Sequence, residues 1–253
     1  MVDKPVGWTS FDVVNKVRHV LRSHQPPVSS RQSGGQATED NRLATPAHRV
    51  RVGHTGTLDP LATGLLVILV GSYTKKAPEF TKLDKVYEVT MKLGETSSTG
   101  DSEGIISPFP GWHPGNKSKQ TYFGRSSELC QKLTEVMKKF EGEISQTPPA
   151  YSAIKINGQR AYKLARAGKE VKLEPRKVKV YSIQLTAYSY PEVKFTAKVS
   201  SGTYIRSLAE DIGKELGTGA YMTALRRTEV GKFKIEQATD PNDKNLLQQA
   251  SQH

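Results

Sequence analysis

Hydrophobic residues recur at helical spacing in three segments of the chain. In residues 10–22 the apolar positions lie on one face and most basic positions lie off it, with Thr9 or Ser10 available as the N-terminal cap. The same spacing appears in residues 129–140 and in residues 205–216, where a glycine closes the last segment. The pattern therefore predicts three amphipathic helices.

Strand-like segments lie between these helices. Residues 86–93 alternate apolar and polar side chains, with Tyr87 on the apolar side, and residues 65–70 form the short apolar run that is typical of a buried strand. Further strands are predicted at 176–186, 193–200 and 230–235. Because strands and helices follow one another without regular alternation, the order favours an α+β fold with a mixed sheet.

Three segments lack such periodicity. Residues 23–48 are rich in Ser, Gln, Pro and Gly and nearly devoid of large apolar side chains, so we expect a flexible insert there. Residues 94–104 are rich in turn-forming residues, and residues 105–124 have little periodicity. Both are predicted to be loops.

Composition narrows the class of protein. The chain has 253 residues, enough for one large domain, and a single cysteine, Cys130, which excludes an internal disulfide and a cysteine-based zinc site. The longest apolar run, residues 61–70, is too short to span a bilayer, and residues 1–10 hold no signal-peptide core. We therefore expect a cytoplasmic protein that does not enter the membrane.

Basic residues are concentrated in one stretch. The net charge is +12, and residues 155–179 hold nine Lys and Arg against two Glu, with Tyr162 among them and Tyr151 just before. Phosphates bind such charges, and bases stack on such rings, so the pattern favours an RNA or DNA strand. A solvated helix face remains the alternative.

The densest chemical signal is the segment 53–64, which places His54 and Asp59 among three glycines just before the predicted buried strand. Asp59 is followed by Pro60, and Asp before Pro is a common way to begin a helix, so a capping role is the alternative to catalysis. His54 has a structural alternative too, as a hydrogen-bonded histidine.

With Val52 included, this segment, residues 52–64, resembles the active-site motif of the TruB family of tRNA pseudouridine synthases. Other segments resemble the remaining motifs of the family in the expected order, and the match runs from residue 2 to about residue 235, interrupted by the insert. The opening motif, the Thr-and-Asp loop, the segment before the RNA-gripping thumb, the motif with the basic partner and the closing motif correspond to residues 2–10, 93–104, 146–155, 202–208 and 225–228.

The resemblance implies a role for each matching residue. Asp59 corresponds to the catalytic aspartate, Arg206 to the arginine that pairs with it, and Tyr87 to the tyrosine that stacks on the target uracil. His54 corresponds to the histidine that holds the RNA loop open. Tyr204 and Leu225 correspond to residues that line the uracil pocket, and Lys75 corresponds to a basic residue near the site. The concentration of positive charge in residues 155–179 separately predicts contacts with the RNA backbone, at Lys155, Arg160, Lys163, Arg166 and Lys169.

The family likeness also implies a fold and an activity. It implies a mainly antiparallel central sheet with flanking helices and loops, a catalytic domain over residues 1–240 with a thumb at about 146–178, and a tail at 241–253. The implied activity is isomerisation of the T-loop uridine, position 55, of tRNA by base flipping and aspartate catalysis. The implied enzyme is a monomer that needs no cofactor, no metal and no obligatory protein partner.

Two departures and several alternatives accompany this expectation. About eighteen residues follow Ile235, too few for the small C-terminal RNA-binding domain of many bacterial members, and the insert is longer than the usual connection. A guide-RNA-dependent synthase and a non-catalytic RNA-binding or tRNA-folding module are the alternatives to the tRNA enzyme. No phosphate-binding glycine loop supports a nucleotide-dependent enzyme, and Asp101 and Glu103 lack further ligands for a metal.

Overall fold

The computed structural model describes residues 1–23, 50–111 and 126–243, except positions 153, 157, 170 and 172, and it also describes Leu246. The side chains of residues 126–129 lie outside this description. Almost all of the predicted insert, the second half of the predicted loop at 105–124 and most of the predicted tail therefore lie outside the described residues.

An eight-stranded sheet forms the centre of the protein. Its spatial order is β1 (Val2–Lys4), β3 (Thr63–Leu66), β13 (Ala220–Val230), β5 (Lys85–Leu93), β12 (Glu192–Val199), β11 (Arg176–Ser189) and β8 (Gly142–Gln146), with β14 (Phe233–Lys234) paired to β13. Neighbouring strands are antiparallel except β13 and β3, which run parallel. The expectation of a mixed, mainly antiparallel sheet in an α+β fold is confirmed.

Three short ribbons stand beside this sheet. They are β2 (Val52–His54) with β4 (Ile68–Val70), β6 (Glu95–Ser97) with β7 (Ile106–Pro108), and β9 (Lys155–Ile156) with β10 (Gln159–Arg160). The run predicted as one buried strand at 65–70 is thus divided: β3 belongs to the central sheet and β4 pairs with β2. The loops predicted at 94–104 and 105–124 each contribute one strand to the β6–β7 ribbon, so those predictions were wrong at these residues.

Among the described residues, three helices lie where the periodicity indicated, and two shorter helices, at residues 77–81 and 161–166, were not predicted. In chain order, the helices are α1 (Ser10–Ser23), α2 (Ala77–Thr81), α3 (Ser126–Lys139), α4 (Ala161–Arg166) and α5 (Ile205–Leu216). Gly217 ends α5 in the left-handed conformation, with φ of 72°. Both α3 and α5 cover one face of the sheet, where Met91, Leu133 and Leu208 are fully buried in the main hydrophobic cluster. This cluster therefore fixes the positions of the strands and helices that carry the predicted site residues.

The central strand β13 was not predicted from the sequence. Two register shifts, between Met222 and Ala224 and between Arg227 and Glu229, interrupt its pairing with β5 and break the alternation of side chains. At Gly64 of β3, where φ is +102°, a Cβ atom would lie 2.3 Å from the carbonyl oxygen of Arg227. Only glycine permits this close approach of β3 and β13.

Candidate active site

The connection between β2 and β3 carries Asp59 at the edge of the hydrophobic core. Residues 55–62 form no helix, and the next regular element is β3. The alternative that Asp59 and Pro60 begin a helix is therefore wrong. Leu58 is buried in the main hydrophobic cluster, whereas the Asp59 side chain keeps 38% of its surface exposed. The connection, which we call the aspartate loop, thus presents a carboxylate from a rigid base.

The start of α1 is bonded to the aspartate loop. The buried Ser10 hydroxyl accepts a hydrogen bond from the Leu58 amide at 2.8 Å and donates one to the Leu58 carbonyl at 3.1 Å. Thr9, not Ser10, caps the helix: its hydroxyl accepts the Asp12 amide hydrogen, and the Asp12 carboxylate accepts the Thr9 amide hydrogen. Ser10 is therefore available to fix the residue next to Asp59.

Arg206, in the first turn of α5, contacts the Asp59 carboxylate. One guanidinium nitrogen lies 3.0 Å from an Asp59 oxygen and donates to the Tyr151 carbonyl at 2.8 Å. The other donates to the Thr99 carbonyl at 3.1 Å. Only 8% of the arginine side chain is exposed. Four contacts, including one with Asp101, therefore fix the planar guanidinium.

Asp101 is the second carboxylate at Arg206. The sequence analysis included it in the segment that resembles the Thr-and-Asp loop and considered it as a metal ligand, but gave it no contact with Arg206. Its carboxylate lies 3.2 Å from the guanidinium and is 3% exposed. The other oxygen accepts hydrogen bonds from the Thr99 hydroxyl at 2.6 Å and the Glu103 amide at 3.1 Å. Asp101 thus contacts the guanidinium nitrogen of Arg206 other than the one that contacts Asp59, and it helps to orient the arginine.

Two opposing influences set the charge of Asp59. Loss of hydration raises the pKa of its carboxyl, and the nearby Asp101 adds to that rise. Arg206, and Lys4 more weakly, act to lower the same pKa, but the net direction is upward. The aspartate is consequently a stronger base than a solvated carboxylate, while its arginine partner limits the rise.

Two buried cations, which the sequence analysis did not single out, hold the aspartate loop. Lys4 is fully buried, and its ammonium group donates to the carbonyls of Pro5, Trp8 and Pro60. Burial lowers the pKa of Lys4 to about 8. Arg227, which is 2% exposed, donates to the carbonyl of Leu65 at 2.8 Å and to that of Gly56 at 3.2 Å.

An open cavity of about 1420 Å³ surrounds the pair formed by Asp59 and Arg206. His54 lines it, and so do four of the five residues predicted to contact the RNA backbone, namely Lys155, Arg160, Lys163 and Arg166. These cations come from β9, β10 and α4, which cover the cavity from the thumb segment. The fifth, Lys169, is exposed and is not among the lining residues. The cavity therefore combines a carboxylate with a positive wall.

The other residues with predicted roles each have a different environment; they are Tyr87, Leu225, Tyr204 and Lys75. Tyr87 is 8% exposed and lies in the main cluster with Leu58. Leu225 pairs with Val89 in the sheet and packs against the same cluster. The backbone of Tyr204 is held by the Gln146 side-chain amide, and burial raises the pKa of its hydroxyl, to which Asp59 also contributes. Lys75 is exposed on the 3-10 helix after β4, outside the cavity lining.

His54 stands at the end of β2, where the aspartate loop begins. Its Nδ1 atom accepts a long hydrogen bond of 3.4 Å from the Gly56 amide. Burial lowers the pKa of the imidazole, and the charge of Arg227 lowers it further. The ring is therefore neutral near pH 7 and offers a flat, uncharged surface in the cavity wall.

Within the described ranges, no three His, Cys, Asp or Glu side chains converge as ligands for a metal ion. Among the helices of the same ranges, none has the length and apolar character needed to cross a membrane.

Comparison with known families identifies the chain. A family model described as TruB family pseudouridylate synthase, N-terminal domain, matches residues 45–205. The chain belongs to the TruB family of pseudouridylate synthases. Enzymes of this family are isomerases. A second model, tRNA pseudouridylate synthase B C-terminal domain, matches residues 206–249, so Asp59 and Arg206 come from regions that different models match.

Curated relatives of this TruB-family chain are named tRNA pseudouridine synthase B. It is 41% identical to tRNA pseudouridine synthase B of Aquifex aeolicus over 240 residues, which cover 94% of this chain and 70% of that protein. It is 40% identical to tRNA pseudouridine synthase B of Bacteroides fragilis over 241 residues, which cover 94% of this chain and 88% of that protein. The similarity therefore extends over most of both proteins.

Solved structures of pseudouridine synthase complexes share the fold. A chain in the crystal structure of a Cbf5-Nop10-Gar1 complex aligns with a TM-score of 0.62 at 27% identity. A chain in the structure of an H/ACA RNP bound to a substrate RNA containing 2′-deoxyuridine aligns with a TM-score of 0.59 at 26% identity. Each alignment covers 99% of this chain but only 55% and 54% of the respective solved chains. This chain spans about half their length.

Proposed function

We propose that this TruB-family isomerase converts the T-loop uridine of tRNA to pseudouridine, with Asp59 as the nucleophile. The observation that carries the proposal is the Asp59 carboxylate, which lies 3.0 Å from a buried arginine in the lining of a cavity with a positive wall. The names of the curated relatives support tRNA as the substrate. A flipped uridine and its flanking phosphates match the carboxylate and the cations of this cavity.

The proposed reaction moves one glycosidic bond within a nucleotide. The bond between C1′ and N1 of uracil breaks, the base rotates, and a new bond joins C1′ to C5, which gives up its proton while N1 gains one. No electrons are exchanged with a second molecule, and no water is added. The chemistry therefore requires a nucleophile, a pocket for the detached base and groups that keep it in place.

Arg206 is proposed to keep Asp59 ionised and correctly aimed. A guanidinium next to a carboxylate favours the charged form against the cost of burial. Because Arg206 is itself fixed by Asp101 and two backbone carbonyls, the carboxylate has a defined direction before the RNA binds. The aspartate then attacks the nucleotide from a preorganised position.

The other residues are proposed to receive the flipped nucleotide. Tyr87 provides a stacking surface for uracil, and stacking returns about 1–3 kcal/mol toward the cost of flipping. Tyr204 and Leu225 complete the uracil pocket, and His54 holds the RNA loop open. Lys75 and the cations of the thumb bind phosphates. We treat residues 1–240 as one catalytic domain, since β13 lies between β3 and β5 in the sheet.

Guide-RNA-dependent pseudouridylation is the second candidate, because one of the solved chains with this fold comes from an H/ACA RNP. The identities favour the tRNA enzyme: 40–41% to the tRNA synthases against 26–27% to the solved chains. The two candidates differ in their requirements. A tRNA enzyme acts on its own, whereas a guided enzyme needs a second RNA to present the uridine.

The deciding experiment is to incubate the purified chain with unmodified tRNA transcript and map pseudouridine by nucleotide. We expect one pseudouridine, in the T loop, formed without guide RNA, partner protein, cofactor or added metal. A transcript with cytidine at the target should gain none. Pseudouridine at another position would refute the T-loop assignment, and dependence on a guide RNA would favour the second candidate.

A further inference from the structure

Phe11 is an exposed aromatic residue at the wall of the active-site cavity. It lies in the first turn of α1, its surface is 57% exposed, and it lines the cavity that contains Asp59. The cavity volume of about 1420 Å³ exceeds the roughly 300–1,000 Å³ of a small-ligand site. There is consequently room for more of the RNA than one uridine.

Phe11 has a fixed position relative to Asp59. Its chain neighbour Ser10 exchanges two hydrogen bonds with Leu58, which is the chain neighbour of Asp59. Because Ser10 and Leu58 are both buried, neither bond competes with water. The aromatic ring and the carboxylate therefore belong to one rigid unit rather than to independently moving loops.

Arg18 supports the Phe11 ring. Its guanidinium carbon lies 5.5 Å from the ring centroid, in a cation–π contact. The same guanidinium donates to the Val52 carbonyl at 2.9 Å and to the Asn15 amide oxygen at 3.3 Å. The guanidinium is thus fixed to β2, the strand that ends at His54, and the exposed part of the ring remains available to a flat partner.

We propose that Phe11, supported by Arg18, is a stacking surface for a second base of the RNA loop, a nucleotide adjacent to the target. The inference rests on the proposed function, because flipping one nucleotide removes it from its neighbours and leaves their faces unstacked. An aromatic ring beside Lys155, Arg160 and Lys163 in one cavity is the combination that binds single-stranded RNA. Phe11 then recognises the opened loop rather than the target uracil.

The first test compares Phe11→Ala with Phe11→Trp on a T-arm hairpin RNA. We expect Phe11→Ala to weaken binding by about 5- to 150-fold, the range for loss of one stacked base, with a smaller effect on single-turnover rate at saturating RNA. Phe11→Trp keeps a π surface and should bind like the parent. Equal affinities of the parent and Phe11→Ala would overturn the inference.

A matched control is available in Tyr73. It has the same exposed fraction, 57%, and its ring also has a cation, Lys76, at 5.4 Å, but it does not line the cavity. Tyr73→Ala should leave the affinity unchanged. If Tyr73→Ala weakened binding as much as Phe11→Ala, the effect would come from general surface aromaticity, and the proposed role of Phe11 would be wrong.

The second test identifies the stacked nucleotide with hairpins that lack one base next to the target. Removal of the base that stacks on Phe11 should weaken binding to the parent but have no further effect in Phe11→Ala. Independent losses at every nucleotide would overturn the inference. Binding by fluorescence anisotropy is separate from pseudouridine formation, so failure of the parent to form pseudouridine would refute the proposed function instead.

Discussion

A guanidinium nitrogen of Arg206 lies 3.0 Å from a carboxylate oxygen of Asp59, although the two residues are 147 positions apart in the chain. The arginine is buried and the aspartate is partly open to the cavity. This arrangement leaves one side of the carboxylate for a substrate, while the other side is fixed by charge and hydrogen bonding.

Asp59→Asn should abolish pseudouridine formation and leave tRNA affinity within a few-fold of the parent. Asparagine nearly preserves the shape but removes the anion that is proposed to be the nucleophile. Single-turnover assays and filter binding measure the two effects. The control is Asp211→Asn, which changes another half-buried carboxylate with a raised pKa outside the cavity lining. Activity of Asp59→Asn within tenfold of the parent would identify another nucleophile.

Arg206→Lys should reduce single-turnover rate by about 100-fold or more, although the positive charge remains. A lysine cannot reproduce the four contacts that two guanidinium nitrogens make with Asp59, Asp101 and two carbonyls. Circular dichroism should show a folded protein. A rate equal to that of the parent would mean that charge alone, without the guanidinium geometry, suffices.

The acid limb of the rate–pH profile should lie above the ordinary carboxyl pKa, because burial raises the pKa of Asp59 and the proposed nucleophile is its anion. Asp101→Asn removes a negative charge that raises this pKa, so the acid limb should move to lower pH. The plateau rate should fall as well, because Arg206 loses a partner. Single-turnover rates from acid to neutral pH at saturating tRNA measure both effects. A shift to higher pH would contradict the assigned charges.

The basic thumb should determine the salt dependence of tRNA binding. For single strands, log affinity falls with log salt by about 0.7 per phosphate contacted. Replacement of Lys163, Arg166 and Lys169 with Ala should weaken binding and flatten this slope, with less effect on turnover at saturating tRNA. Tyr87→Leu should instead lower turnover and leave the slope unchanged.

A matched triple variant controls for net charge. Lys139, Lys194 and Lys234 are exposed, are paired with glutamates and lie outside the cavity lining. Their replacement with Ala should have little effect on the slope. If both triple variants behaved alike, the thumb would be a solvated basic surface, and RNA binding would have to be assigned elsewhere.

Lys4 should make the unfolding free energy rise with pH in alkaline solution. Its pKa is about 8 in the folded protein and 10.5 when solvated, so between these values the unfolded chain binds more protons and stability increases with pH. Lys4→Met should remove up to one proton's contribution, about 1.4 kcal/mol per pH unit, from the slope. Urea unfolding from pH 8 to 10.5 measures it. Lys85→Met is the comparison variant, because burial lowers the pKa of Lys85 to about 8 as well. Equal slopes for the parent and Lys4→Met would show that Lys4 stays charged.

Local patterns in the sequence were sufficient for the three longer helices and for β5, because one buried face imposes its period on the side chains. They were insufficient for β13, whose two bulges break the alternation, and for the run at 65–70, which is shared between two sheets. In both cases pairing with distant strands, rather than local preference, determines the structure.

The site residues predicted from the sequence came from the resemblance to the family motifs. The site residues that were missed are defined by tertiary contacts. Asp101 and Arg206 are 105 positions apart, so no local sequence pattern predicts their contact. From the sequence alone, Asp101 could only be assigned to a turn-rich loop. In the sequence, Lys4 cannot be distinguished from a solvated lysine, because only the fold shows the three carbonyls that its ammonium group contacts. Arg227 belonged to a recognised motif, but its bond to the Gly56 carbonyl appears only in the folded chain.

β13 lies between β3 and β5 in the sheet, although it is synthesised after both of them. At about 5–20 residues per second, a ribosome needs roughly 7–30 seconds to proceed from Asp59 to Arg206. Until then the aspartate loop lacks its ion-pair partner, and until Arg227 follows, β3 lacks the neighbouring strand that closes over Gly64. The nascent chain is thus without the pair formed by Asp59 and Arg206, and without the support of β13, until both α5 and β13 have emerged from the ribosome.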